Sequence, residues 1–232
     1  MDNRNLIKAI TEQVIKNLQE KRLEIRGLRL EPQAPSLKPQ STRIFIPVGI
    51  SNHHLHLDKE TLSKLFGDGF GLTERNPLSQ PGQFAANETV TVIGPKLRAL
   101  QNVRILGPVR KQTQIEISKT DGIQIGIVPP VVASGNLEGT PGVILVGPKG
   151  AVNLPYGLIR ANRHIHISKD DAEKYGIKDE QIVKVKCSGE KATILEKCQV
   201  RVSENFVTEL HFDTDDGNAA DLVCGDEVEI IL

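Results

Sequence analysis

The sequence predicts a mainly β protein: two related small β-barrel halves, each capped by short α-helices, preceded by an amphipathic N-terminal helix. Three observations carry this expectation. Short apolar runs recur between turn signals, with 20 Gly and 13 Pro in 232 residues, which suits many short strands joined by tight turns. Aromatics are only 3% of the chain and Trp is absent. The core must then be built from Val, Ile and Leu, the side chains that pack well on a pleated surface. Lastly, a histidine motif near position 54 returns near position 164, which points to two related halves.

Residues 2–21 read as one helix, because Leu6, Ile7, Ile10, Val14, Ile15 and Leu18 share one half of a helical wheel opposite Asn5, Lys8, Glu12 and Lys16. A lone helix of this length is marginal in water and needs a partner for its apolar face. It either folds back on its own domain, makes a dimer contact, or docks elsewhere. Residues 1–24 are therefore a candidate docking segment, and 25–42 a spacer, since three prolines between Glu31 and Ser41 break any period.

The first β half is expected over 43–150 and the second over 151–232. Alternating or continuous apolar runs predict strands at 43–48, 88–93, 103–106, 112–118, 143–146, 182–186, 198–202, 207–212 and 227–232. The strand at 43–48 is able to complete the C-terminal barrel. Helices are expected at 58–66 and 168–175, each opening on an N-cap residue, and Ser168-Lys-Asp-Asp171 resembles a capping box.

Charge and cysteine usage exclude several classes. Twenty-nine Lys+Arg balance twenty-nine Asp+Glu, so neither a basic nucleic-acid surface nor a polybasic membrane anchor is expected. No run reaches the ~18–20 apolar residues of a membrane span, and the N-terminus lacks the h-region of a secretory signal. Three cysteines (Cys187, Cys198 and Cys224) fit no disulfide framework and no CxxC metal pair. A reducing cytosol is the expected compartment.

Chemistry concentrates in the histidines. Ser51-Asn-His-His-Leu-His-Leu-Asp-Lys59 aligns with Ala161-Asn-Arg-His-Ile-His-Ile-Ser-Lys169, 110 positions later, and lysines follow at equivalent places, Lys64 and Lys174. Alternate residues of a strand face the same way, so each His-x-His offers two imidazoles to one ion. Downstream, Gln114-Ile-Glu-Ile aligns with Glu209-Leu-His-Phe and supplies a third ligand to each set. The candidate metal clusters are His54, His56 and Glu116, and His164, His166 and His211. Three protein ligands with an open position are the arrangement of a catalytic zinc rather than a structural one. His53 points away from His54 and takes the place of Arg163. Arg110, six residues before Glu116, shares its face if the strand extends that far. There its guanidinium fork would suit a phosphate oxyanion, the alternative being a solvated surface arginine.

Gly49-Ile-Ser-Asn-His-His-Leu-His-Leu, Gln80-Pro-Gly-Gln-Phe-Ala-Ala, Leu106-Gly-Pro-Val-Arg and Arg163-His-Ile-His-Ile together resemble the PduL-type phosphate acyltransferases, from about Arg43 to the C-terminus. The resemblance implies two β-barrels capped by short helices around a two-zinc site. It implies an enzyme that interconverts an acyl-CoA (propanoyl-CoA typically, acetyl-CoA as an alternative) plus phosphate with an acyl phosphate plus CoA. Carried over by motif, His54, His56 and Glu116 would hold the zinc nearest the CoA sulfur, and His164, His166 and His211 the second. Arg110 would bind phosphate as the catalytic arginine. Gly49, Ile50 and Ser51, Gln83 in the QPGQ loop and Asn218 in the loop after His211 would contact CoA. The family usually has arginine where this chain has His53. Members inside bacterial microcompartments carry an amphipathic encapsulation helix on a linker, so residues 2–21 would dock to shell or cargo proteins in the bacterial cytoplasm. The exposed apolar face of that helix also permits homo-oligomers.

The same clusters would serve a dinuclear metallohydrolase that cleaves a thioester or phosphoester. A third reading is a non-enzymatic shell or cargo adaptor, with structural histidines and the N-terminal helix as the functional part.

Overall fold

The computed structural model describes residues 43–232; the expected helix over 2–21 and the spacer over 25–42 lie outside the described residues. The chain first runs through β1 (Ile44–Ser51), β2 (His54–His56), α1 (Lys59–Phe66), β3 (Glu74–Pro77), β4 (Phe84–Ile93), β5 (Ala99–Gly107), β6 (Gln114–Glu116) and α2 (Lys119–Ile125). Short strands β7 (Val131–Val132), β8 (Val143–Val146), β9 (Ala151–Leu154) and β10 (Leu158–Ala161) follow. The remainder is β11 (His164–Ser168), α3 (Lys169–Tyr175), β12 (Ile182–Cys187), β13 (Thr193–Ser203), β14 (Glu209–Asp213), α4 (Thr214–Ala220) and β15 (Glu227–Ile231).

Six strands close a barrel in the order β1-β14-β11-β13-β12-β15, and nine form a curled sheet in the order β7-β10-β6-β2-β5-β4-β8-β9 with β3 on β4. The protein is thus mainly β with short capping helices, as the residue pattern predicts. Alternation drives the barrel: Ile44, Ile46 and Val48 of β1 and Val183, Val185 and Cys187 of β12 point inward while their neighbours face out. Leu55, Leu57, Val90, Val92, Ile105 and Ile115 fill the core of the curled sheet. Both cores are predominantly aliphatic, with one buried phenylalanine each, Phe212 and Phe66, and each fully buried side chain contributes about 1.5–3 kcal/mol.

The two units share one pairing scheme. β2 runs parallel to β5 and antiparallel to β6; β11 runs parallel to β13 and antiparallel to β14. β4 and β5 form an antiparallel pair, as do β12 and β13. The strand before each histidine motif, however, belongs to the opposite unit. β1 precedes the motif of β2 but pairs with β14 and β15 of the barrel. β10 precedes the motif of β11 but pairs with β6 and β7 of the curled sheet. Each half has therefore given one strand to the other. β1 is continuous and closes its ring. Its counterpart is interrupted by Pro155-Tyr-Gly157 into β9 and β10, with Gly157 at φ +117°, and the curled sheet stays open.

Two helices, α2 and α4, escape the residue pattern. Each is only 7 residues long and carries a glycine at the equivalent place, which reads as a breaker. The glycines are there for packing. A Cβ at Gly122 would come 2.6 Å from the Ile127 carbonyl oxygen, and one at Gly217 would come 2.7 Å from Ile50 Cδ1. What starts each helix is its cap: Ser118 and Asp121 form a full capping box, and Asp213 accepts from the Asp216 amide. Ser118 thus begins α2, and the strand expected to run to it stops at Glu116. At α3 only half of the expected box forms, since Ser168 accepts from the Asp171 amide while the Asp171 carboxylate accepts from Thr208 Oγ1. No helix among the described residues is long and apolar enough to cross a membrane.

Candidate active site

Every residue of β2 is buried, as are the first four of β11. Burial on both faces of a strand means that each face meets something. Leu55 and Ile165 enter the two aliphatic cores, which turns His54, His56, His164 and His166 to the opposite side, into the space between the sheet and the barrel. Cross-strand register then completes each set. β6 places Glu116 opposite His54 and Gln114 opposite His56; β14 places His211 opposite His164 and Glu209 opposite His166. The donor atoms of His54, His56 and Glu116 lie within 4.8 Å of one another, and so do those of His164, His166 and His211. Both sets line one cavity of about 600 Å³, together with Arg104, Arg110 and Arg201. A narrow cleft that shares its lining with the cavity is bounded by His54 and Glu116 from one cluster and His164 and His211 from the other.

Three of the imidazoles, His56, His164 and His166, are held in the neutral form. Burial above all, then the neighbouring His54 and Arg110, lower the pKa of His56 to about 2. Burial, followed by the nearby His211, lowers His164 and His166 to about 3. His54 Nδ1–H donates to the Asn52 carbonyl at 2.8 Å, and His164 Nδ1–H donates to the Asn162 carbonyl at 2.8 Å. Each ring is thereby oriented and its Nε2 lone pair left available, the arrangement a metal-ligating histidine requires. His166 Nδ1 is buried without any partner. Burial alone would raise the pKa of Glu116, but His54, His164, Arg110 and the Gln114 amide hold it below the ordinary value. Five clustered imidazoles, three of them held neutral, with one carboxylate and an orphaned buried ring nitrogen fit a divalent cation that takes nitrogen and oxygen ligands, zinc among them.

Arg110 reaches the cavity by a route other than the expected one. β6 is too short to carry it, and it stands instead in the segment after β5, where its amide donates to the Leu57 carbonyl at 2.8 Å. Gly49, Ile50, Ser51 and Gln83 line the cavity. Asn218 does not: it is exposed on α4 rather than in a loop, and its carbonyl accepts from Lys191. His53 pairs with Asp121 at 3.4 Å, just as Arg163 at the equivalent position pairs with Asp216 through two contacts of 2.8 and 2.7 Å. His53 lines the cavity, and neither Asp121 nor Asp216 does.

Two polar loops border the site, one around Gln80-Pro-Gly-Gln83 and one around Ser134-Gly-Asn136. Pro81-Gly82 forms the tip of the first, with Gly82 at φ +75°, and Gln80 anchors it to the barrel by exchanging hydrogen bonds with the backbone of Val207. Ser79 donates to Glu209, whose carboxylate lies 2.6 Å from His211 Nε2. From the second loop, Ser134 Oγ donates to Glu116, and Gln114 bridges Glu116, Ser134 and the Gly135 amide. Glu209, Gln114, Ser134 and Arg201 were absent from the sequence-based site. Strand alternation alone picks out Gln114 and Glu209, each two residues before a candidate ligand.

Two clusters of imidazole and carboxylate donors, with guanidiniums lining the same cavity, equip it to hold anions and polarise them. That is the machinery of an enzyme moving a group between small anionic molecules, rather than of a binding module. The comparisons make it specific. The family model described as "PTAC: Phosphate propanoyltransferase" matches residues 47–223. A phosphate propanoyltransferase of Thermotoga maritima is 54% identical over 80% of this chain and 89% of its own length. One of Lachnoclostridium phytofermentans is 46% identical over 98% of this chain and 99% of its own, and one of Alkaliphilus metalliredigens 42% over 92% of each. The chain belongs to the phosphate propanoyltransferase family and is a phosphate acyltransferase enzyme.

Proposed function

We propose that this enzyme transfers an acyl group, propanoyl or the shorter acetyl, between CoA and inorganic phosphate at a site holding two zinc ions. The observation that carries this reading is the convergence of both ligand clusters and Arg110 on one cavity. In the forward direction an oxygen of hydrogen phosphate attacks the thioester carbonyl carbon. The C–O bond forms and the C–S bond breaks. The electron pair leaves with sulfur, which finally carries the proton that phosphate brought, giving acyl phosphate and free CoA. When bound, the ions supply Lewis acids for the departing sulfur and the phosphate oxygen.

The side chains of this protein do the positioning. Arg110 offers two parallel donors to phosphate. The backbone of Gly49, Ile50 and Ser51 with Gln83 forms the wall along which the CoA arm would lie. Cys187 and Cys198 are sealed in the barrel core, and burial raises the Cys198 thiol to about 12, so neither can act as nucleophile. Cys224 lines the cavity, with its sulfur on the Ile50 backbone, and direct transfer does not require it. Residues 2–21, on their amphipathic pattern, are the segment that would dock to microcompartment shell or cargo proteins.

The test is CoA release from propanoyl-CoA by metal-replete protein, with and without phosphate. Acyl phosphate should form only with phosphate, disappear in folded His54→Ala and His164→Ala variants, and persist in Cys224→Ala. Release without phosphate would favour the hydrolase; loss in Cys224→Ala would replace direct transfer by an acyl-cysteine route.

A further inference from the structure

Three arginines line the cavity, and their commitments differ. Arg104 is anchored through one nitrogen, its Nη1 donating to the carbonyls of Ala86 and Asn87 at 3.0 and 2.8 Å. Arg110 is assigned above to phosphate. Arg201, on β13, pairs in register with His166 and so stands beside it on the same face. It is half-buried, and among the described residues no carboxylate lies within ion-pair distance of it; its one contact is Asn162 Oδ1 at 3.5 Å. Glu116, Glu180 and Asp179 attract it only from beyond ion-pair distance; a guanidinium drawn out of water without a direct counter-charge is costly, and the cost makes sense where an anion arrives during turnover.

The duplicated scaffold sharpens the point. Arg201 and Leu106 hold equivalent places, each following the residue paired with the middle of its histidine motif, Val200 and Ile105. Where the barrel uses Arg201, the curled sheet has an apolar side chain and brings its guanidinium, Arg110, from the next loop. Each half thus contributes one uncommitted guanidinium, and Glu116 acts electrostatically on both. The site must hold an anion that arrives, phosphate, and one that develops: the carbonyl oxygen takes the π electron pair as the C–O bond forms, then returns it as the C–S bond breaks and the sulfur leaves with its own pair.

We propose that Arg201 is a catalytic residue that stabilises this carbonyl oxyanion, opposite the phosphate held by Arg110. The inference rests on the acyltransfer reading. Donors of this kind act in the transition state and little in the ground state, so their loss lowers kcat and leaves KM alone.

The experiment measures phosphate-dependent CoA release for wild type, Arg201→Lys, Arg201→Gln and Arg110→Lys, with melting temperature and bound metal checked for each. Arg201→Gln should lower kcat by about 10²–10³-fold, with KM for phosphate and for propanoyl-CoA within about threefold of wild type. Arg201→Lys should recover part of the loss. Arg110→Lys should raise KM for phosphate. An Arg201 variant with wild-type kcat, or one whose defect is a raised KM for either substrate, overturns the assignment while leaving acyltransfer intact. Should Arg201→Gln fail to fold, Arg201→Lys alone decides through the same split. Wild-type CoA release without phosphate sinks the acyltransfer reading itself, and the role of Arg201 with it.

Discussion

His53 and Arg163 show how one residue can differ between halves that otherwise agree. Both precede a His-x-His pair, and both reach the carboxylate at the third position of a helix, Asp121 or Asp216. The arginine makes a two-pronged contact; the histidine makes one, and a long one. We expect His53→Arg to rebuild the two-pronged pair and raise stability by roughly 0.5–1 kcal/mol, read as a higher denaturation midpoint at unchanged m-value. No gain would mean that Asp121 is held too firmly by Ser118 to turn toward a guanidinium. The two candidate ligand clusters were legible at this scale because alternation on a strand is a local rule. Arg201 was not, since its partner His166 lies on another strand and only the register joins them.

At the scale of elements, the capped helices and hairpins follow from local chemistry. The exceptions have a common cause, in that α2 and α4 are short and hide a packing glycine inside. The loop 77–83 was legible as a loop but not as a clamp. Gln80 is 3% exposed and holds the Val207 backbone in both directions. Gln80→Ala removes two hydrogen bonds, about 1 kcal/mol each. Hydrogen exchange should quicken over 78–83 and 205–209, with β12 unaffected, and KM for the acyl-CoA should rise. Unchanged exchange in the loop would show that the Ser79–Glu209 contact suffices.

For the whole molecule, the repeat announced two related units, and the strand exchange between them was only half visible. The strand at 43–48 was recognised as able to join the barrel, but its reciprocal at Leu158–Ala161 was too short to stand out. Sheet membership consequently changes after Ser51 and again after Ala161. A fragment 162–232 lacks β1 and therefore two of the ladders that close its barrel. It should show no cooperative melting alone, whereas 43–232 should melt in one calorimetric transition. Two separated transitions would mean that the halves are stable without their exchanged strands.

That exchange also governs what a growing chain can do on the ribosome. β1 is made early but has no place until β14 and β15 emerge, more than 150 residues later. The His54 cluster, tied to β10 through β6, likewise waits for residues beyond its own half. A nascent or truncated chain therefore cannot assemble half a catalyst. Reactive thioester meets finished enzyme or none.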